Sequence, residues 1–383
     1  KTTMKVVALS PSKHRLWQPK NSLPKCRDPD LQSPSPLHPN TIFSLPSRRI
    51  PFPSLAVKAS QNPETFPTQH LKSDQPPLVV VGSANADVFV EIERLPGVGE
   101  TISAKSGQML AGGKGANQAV CGAKLSYPAY FIGQVGEDSH GKLITDALVD
   151  GGVCVGHLRT VSAAPTGHAV VMLQPDGQNS IIIVGGANMA CWPRSISEKD
   201  LDVVNNAGIV LLQREIPDSV NTLFAKAAST ASVPVILDAG GMDAPLSEKL
   251  LNHVDILSPN ESELARLTGM ETETFEQVCQ AVRKCHGMGV KQVLVKLGAR
   301  GSALFIEGEE PIEQPIITAA QVVDTTGAGD TFTAAFAVAL VEGMSKRECL
   351  KFAAAAASLC VQVKGAIPGM PGRKSVLDLL QSL

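Results

Sequence analysis

The chain has no stretch of about 18 uncharged apolar residues, so the sequence predicts no membrane-crossing helix. The apolar run Ala353–Val361 is short and flanked by Lys351 and Lys364, which reads as a buried helix. None of the eight cysteines forms a C-x-x-C pair, and no His/Cys cluster has zinc spacing. That pattern excludes a zinc framework and fits a reducing compartment. A P-loop is also missing: the residue five before Gly113 is Gln108, and Lys114 is followed by Gly rather than Ser or Thr. No G-x-G-x-x-G occurs, so a dinucleotide site lacks its signal. Acid is scarce at the N-terminus, where residues 1–58 hold ten basic side chains against Asp28 and Asp30 alone.

That segment differs in composition from the rest. It is rich in Pro and Ser and has no hydrophobic periodicity, so it cannot bury enough to fold. Basic, Ser-rich, acid-poor N-termini read as organelle transit peptides, since a secretory signal would need an apolar centre. Its Pro/Ser richness and Val57-Lys58-Ala59-Ser60 favour a plastid address. Residues 59–77 are expected to be a linker. Without residues 1–58, 24 basic residues face 34 acidic ones, a net charge of about −10. A body that acidic has no broad electrostatic footprint for nucleic acid. Its 383 residues, 43% hydrophobic with mean hydropathy +0.07, suffice for one large domain or two ordinary ones.

What is present is an alternation of strands and helices. Leu78–Gly82 is a β-branched run typical of a buried strand, and Tyr130–Val135 a second strand before a helix over Ser139–Val149. Gly167–Gln174 and Ser180–Val184 form a hairpin around Pro175-Asp176-Gly177. Strands at Ile209–Leu212 and Val233–Asp238 bracket a helix over Asp218–Thr230. Val290–Leu297 turns through Gly298-Ala299-Arg300-Gly301 into a strand at Ser302–Ile306. Helical segments over Thr331–Glu342 and Lys346–Gln362, a loop over Lys364–Gly372 and a helix over Val376–Leu380 follow. Repeated βα units predict a mostly parallel sheet covered on both faces. Ligands of such sheets lie beyond the C-terminal strand ends, where Glu215 and Asp238 fall.

Four stretches carry candidate chemistry. In Val323–Phe332, VDTTGAGDTF, an extended segment ends at Asp324 and Gly327-Ala328-Gly329 form a lip free of bulky side chains. Asp330 then stands in the first turn of a helix. Unpaired amides and the helix dipole suit such a lip to an anion, and Asp330 to taking a proton from a hydroxyl; a tight loop with an acidic cap has the same pattern. Asn85 and Asp87, two apart, offer donors and an acceptor to vicinal hydroxyls, or form an Asx-turn. Gly112-Gly113-Lys114-Gly115-Ala116-Asn117 requires the close approach of something to the backbone. Asn260 and Glu263 read as a helix capping pair or as a support for hydrated Mg²⁺ near phosphates.

These stretches occur in a fixed order, and from about Leu78 onward the sequence resembles the ribokinase branch of the ribokinase/PfkB carbohydrate kinases. The resemblance rests on GGKGANQAV at Gly112–Val120 and DTTGAGDTF at Asp324–Phe332. Gly82-Ser83-x-Asn85-x-Asp87, Asn260-x-x-Glu263 and Gly298-x-x-Gly301 also fall where the family has them. It implies a ribokinase-like three-layer α/β/α sandwich, α/β in class, with a small β-sheet lid from about Val88–Leu110 and Gly167–Val184. It implies ATP-dependent phosphorylation of D-ribose at its 5-hydroxyl, and a homodimer paired through the lid. Asp330 resembles the general base and Gly327, Ala328 and Gly329 the anion hole. Asn85, Asp87, Gly113, Lys114, Gly115, Ala116, Asn117 and Glu215 resemble the ribose pocket. Asn260 and the loop Lys296, Leu297, Gly298, Ala299, Arg300 and Gly301, with Gly329 and Asp330, resemble the ATP site. Glu263 resembles the residue that organises Mg²⁺ through water. Asp324, Thr326, Cys360, Val363, Gly365 and Gly369 resemble an activating K⁺ site.

Three positions depart from the family. Lys296 stands where a small hydroxyl residue is common, Ala353–Ala357 lacks a polar side chain near the adenine, and Gly369 replaces a serine near the monovalent ion. A nucleoside kinase would need an apolar shelf for its base, whereas Asn85, Asp87 and GGKGAN favour a free sugar. A non-catalytic kinase-like partner of the plastid transcription machinery would be expected to lose parts of the set that Asp330, its glycines and Glu263 keep here.

Overall fold

Leu78–Val81 (β1) shows how the sheet is built: Leu78 and Val80 enter one hydrophobic core, Val79 and Val81 the other. Alternate residues of a strand point to opposite faces, so an all-apolar strand means a sheet covered twice. In this computed structural model, residues 75–175, 179–242 and 244–383 are described. The segment expected to be a transit peptide, and most of the expected linker, lie outside them.

The main sheet has nine strands. Besides β1 and the lid strands β2 (Asn85–Glu91) and β3 (Ser106–Gly112), the chain forms β4 (Ala129–Gly136), β5 (Cys154–Val161), the lid strands β6 (Gly167–Leu173) and β7 (Asn179–Val184), and β8 (Ile209–Arg214). It continues with β9 (Val235–Gly241), β10 (Ile256–Ser258), β11 (Gln292–Lys296), β12 (Ser302–Ile306) and β13 (Ile312–Gln314). Spatial order is β13-β12-β11-β10-β9-β8-β1-β4-β5. All neighbours from β11 to β5 are parallel; β12 and β13 add antiparallel to one edge.

Helices cover both faces. On one lie α1 (Lys114–Lys124), α2 (Ser139–Asp150) and, from the C-terminal part, α8 (Ala328–Val341), α9 (Lys346–Cys360), the single turn α10 (Ala366–Gly369) and α11 (Arg373–Gln381). On the other lie α3 (Glu198–Asn205), α4 (Asp218–Thr230), α5 (Glu248–Leu251), α6 (Glu261–Thr268) and α7 (Phe275–Gly287). Helix α8 is buried continuously from Asp330 to Ala339, as its apolar sequence on all sides requires.

The lid is a separate four-stranded sheet, β3-β2-β6-β7. It begins earlier than expected, at Asn85, because Asn85–Glu91 pairs in full with β3 and with β6. The β6–β7 hairpin forms as expected, while residues 176–178 of its turn lie outside the described residues. One expectation is corrected: the 364–372 loop contains α10. The segment before Asp324 joins no sheet, and the Val323 and Asp324 amides donate to the Val361 carbonyl, at 2.8 and 3.1 Å.

Candidate active site

The glycines of Gly112–Gly115 are required by the chain's own backbone. Gly113 has φ 90°, and a Cβ there would lie 2.7 Å from the Asn85 amide nitrogen. One on Gly115 would lie 2.7 Å from the Ser83 nitrogen, and one on Gly112 2.0 Å from Asp87 Oδ2. The approach expected of a ligand is thus made by Ser83–Asp87, which the Ala116 amide also ties down by donating to the Ser83 carbonyl at 2.9 Å. This packing sets the start of β2, which carries Asn85 and Asp87, against Gly112–Gly115.

Asp330 lies in the first turn of α8, whose cap Gly327 has φ 79° and packs against Ala366. Asn117 Nδ2 donates to Asp330 Oδ2 at 2.9 Å, Gln118 Nε2 reaches Oδ1 at 3.4 Å, and Lys114 Nζ stands 3.7 Å from Oδ1. Burial raises the Asp330 pKa above the ordinary carboxylate value; Lys114 pulls it back, and Asp238 pushes it up again. Burial alone would depress the Lys114 ammonium, but Asp238, Asp330, Glu263 and Glu215 outweigh it and hold the lysine charged. Of the lip, the Ala328 amide donates to the Thr325 carbonyl at 3.2 Å, while the first-turn amides of Gly329 and Asp330 have no intrahelical acceptor.

Glu215, just past β8, accepts from Ser83 Oγ at 2.6 Å and from the Lys114 amide at 3.1 Å through the same oxygen. Asp87 is driven up to about 7 by burial and then by the charges of Glu215 and Asp330. Sequence reasoning missed two organising side chains. Buried Asn188 bonds both the amide and the carbonyl of Ala84, at 2.9 and 3.0 Å, and donates to Asn85 Oδ1 at 2.7 Å. Asp238, placed only at a strand end, accepts from Lys114 Nζ at 3.1 Å and Lys296 Nζ at 2.6 Å.

The Asn260–Glu263 pair forms a complete capping box: each side chain accepts from the other's amide at 2.8 Å. Glu263 Oε2 makes that bond, while Oε1 and Lys114 Nζ both border Gly240, each 2.5 Å from where its Cβ would be. Capping therefore engages only one carboxylate oxygen. Asn260 bridges to Lys296 in parallel register, which sets this helix start beside the Gly298–Gly301 turn. That turn borders a cleft of about 440 Å³ together with Ile316–Ala319, Val322, Phe332, Ala354, Ala357 and Ser358. Ser302 and Ser358 border the cleft, but their hydroxyl oxygens are buried and have no partner among the described residues. Arg300 and Leu297 do not line it: Arg300 pairs with Glu261 and donates to the Thr272 and Glu273 carbonyls, and Leu297 is in the core.

The six residues of the expected ion loop lie together. Asp324 accepts from the Thr326 and Gly365 amides, each at 2.8 Å. Cys360 Sγ is 4.0 Å from the Thr326 carbonyl. A Cβ on Gly369 would lie 2.8 Å from the Cys360 carbonyl and 3.4 Å from that of Val363, so both oxygens converge there.

A profile describing the pfkB family carbohydrate kinases matches residues 75–373. The chain belongs to the pfkB family. Within this family it is 68% identical over 355 residues to an Arabidopsis thaliana ribokinase, covering 92% of this chain and 93% of that one. A Bacillus subtilis ribokinase is 37% identical, over 79% of this chain and 99% of its own. The solved structure of Arabidopsis thaliana ribokinase complexed with ribose and ATP superposes with a TM-score of 0.78 at 74% identity, over 80% of this chain and 99% of that one. The pfkB fold expected from the sequence, a mostly parallel sheet between helices with a small lid, is the one observed.

Proposed function

We propose that the protein transfers the γ-phosphoryl group of ATP to the 5-hydroxyl of D-ribose, giving D-ribose 5-phosphate and ADP. One observation carries this reading: Asp330, Lys114 and Asn117 meet at the dipole-positive end of α8, next to Asn85, Asp87 and Glu215. A buried carboxylate at an anion-binding helix end, beside a cluster of hydroxyl-binding groups, suits phosphoryl transfer to a sugar.

Asp330 takes the proton of the 5-hydroxyl as that oxygen bonds to the γ-phosphorus, and the bond to the β-phosphate bridging oxygen breaks, its electron pair leaving with ADP. The transition state is loose, so positioning and charge matter more than covalent chemistry. Burial makes Asp330 a better base than a surface aspartate, and Asn117 and Lys114 orient it. The Gly329 and Asp330 amides face the transferring group. Adenine fits the apolar cleft, which Ile316, Ile317, Val322 and Phe332 help to line.

Mg²⁺ belongs to the same proposal. Among the described residues no group of three or more His, Cys, Asp or Glu could hold a metal, so Mg²⁺ would come with the nucleotide and Glu263 would hold it through water. When bound it neutralises phosphate charge. For K⁺, the converging carbonyls of Cys360 and Val363 near Thr326 are suitable neutral oxygen ligands. With Gly369 in place of serine, main-chain oxygens would hold K⁺, which would steady the 324–327 segment before α8. The proposal also includes a plastid address, supported by the composition of residues 1–58, and a homodimer, supported by the uncovered edge of β7, where Ile181–Val184 are exposed.

The test is ADP release by protein lacking residues 1–58, given ATP and Mg²⁺ with ribose, deoxyribose, fructose or adenosine, with and without K⁺. Turnover strongest on ribose and stimulated by K⁺ is expected. A folded protein silent on every acceptor would overturn the reading.

A further inference from the structure

Lys296 ends β11 with its side chain only 11% exposed. Its Nζ donates to Asp238 Oδ2 at 2.6 Å and lies 3.4 Å from Thr333 Oγ1. The other oxygen of Asp238 accepts from Lys114 Nζ at 3.1 Å and from the Gly240 amide at 3.0 Å. One fully buried carboxylate thus stands between two ammonium groups. Lys114 also faces Asp330, whereas among the described residues Lys296 pairs with Asp238 alone. The two ammonium groups thus share one carboxylate, with Lys114 on one side of it and Lys296 on the other.

That side opens onto the lip. A Cβ on Gly329 would lie 3.9 Å from Lys296 Nζ and 3.8 Å from its Cδ, so the lysine tip stands beside Gly329 of the lip with room between them. Stability gives little reason for the charge, because a buried ion pair roughly breaks even with apolar residues of the same volume. A charge fixed in a dry site is effective when it faces charge that develops during reaction. In phosphoryl transfer, that charge is on the equatorial oxygens of the moving group.

We propose that Lys296 is a catalytic residue, holding positive charge against the transferring phosphoryl group, and that Asp238 is a positioning residue that aims Lys296 at the lip and Lys114 at Asp330. This rests on the kinase reading above. Lys296 exchanges no proton in it.

The test compares Lys296→Thr, Asp238→Asn and the double variant with the parent. Removing Lys296 alone strands a buried carboxylate and can unfold the chain; the double variant removes both charges and is expected to melt close to the parent. In the folded double variant we expect kcat to fall tenfold to a hundredfold while KM for ribose stays within threefold. Lys296→Arg is expected to recover part of kcat. A second readout needs no turnover: fluoroaluminate tightens ADP binding by mimicking the planar phosphoryl group, and the double variant should lose most of that tightening. A double variant with near-parental kcat and full tightening would overturn the proposal and reduce Lys296 to a neutraliser of Asp238. If the parent is silent on ribose, the kinase reading fails separately, and the fluoroaluminate comparison still decides on Lys296.

Discussion

At the scale of single residues, the site holds more negative charge than an isolated fold would choose. Asp87 illustrates the cost. Burial, with Glu215 and Asp330 nearby, raises its pKa from 3.8 to about 7. Between about pH 4 and 7 the folded protein therefore keeps a proton that the unfolded chain has lost, and stability falls as pH rises through that window. Asp87→Asn, which carries no charge at any pH, should melt higher than the parent at pH 8 without ligand, by a margin worth about 1–3 kcal/mol. The margin should shrink by pH 5, where the parental side chain is protonated. Melting curves of both proteins at the two pH values check this; an equal margin at both would mean that Asp87 titrates at its ordinary value. Much of this was legible in the sequence as residue types: Asn85, Asp87, Lys114, Asn117 and Asp330 come together as their motifs implied. Their partners were not legible. Asp238 meets Lys114 and Lys296 across 124 and 58 positions, and Asn188 meets Asn85 across 103. No local pattern announces an ion pair or an amide clamp whose members are set together only by the sheet.

Elements whose signals are local were read well, and those defined by their neighbours were not. The helix over Asp218–Thr230 and the strand Ser302–Ile306 have the expected bounds. Strand β5, CVGHLRTV, escaped because it lies at a sheet edge, half-buried with no clean alternation. The single turn α10 is too short for any period to register. The capping box of α6 is the instructive case, since the cap forms with one oxygen of Glu263 while the other borders Gly240 beside Lys114. Glu263→Gln separates the capping reading from the Mg²⁺ reading. Glutamine is as good as glutamate at this cap position, so the melting temperature should hold, whereas losing the cap outright would cost about 1 kcal/mol. The Mg²⁺ concentration giving half-maximal turnover should rise severalfold, because a neutral amide attracts a hydrated dication poorly. A Mg²⁺ titration identical to the parent's would leave Glu263 a cap alone.

At the scale of the whole molecule, the lid presents a surface that the described residues leave uncovered. Strand β7 is an edge strand, and Ile181, Ile182 and Ile183 are 53, 57 and 55% exposed, with Val184 at 40%. Successive residues point to opposite faces, so both faces of this strand are apolar and open. An uncovered apolar edge of this kind invites pairing with another strand, and natural proteins usually protect one with charge or a bulge. A second copy of the lid would cover it. Such a contact bears on the sugar site, because β7 pairs with β6, β6 with β2, and β2 carries Asn85 and Asp87. Replacing both Ile181 and Ile183 by Glu places two charges on one face of the edge without touching the body's core. The expected outcome by light scattering is a dimer for the parent and a monomer for the variant at the same concentration. Ribose KM should rise severalfold, with little change in the KM for ATP, whose cleft lies against α8 and α9. A double variant with parental mass would show that β7 is not the interface. A monomer with unchanged ribose KM would show that each lid closes over its sugar without help from the other.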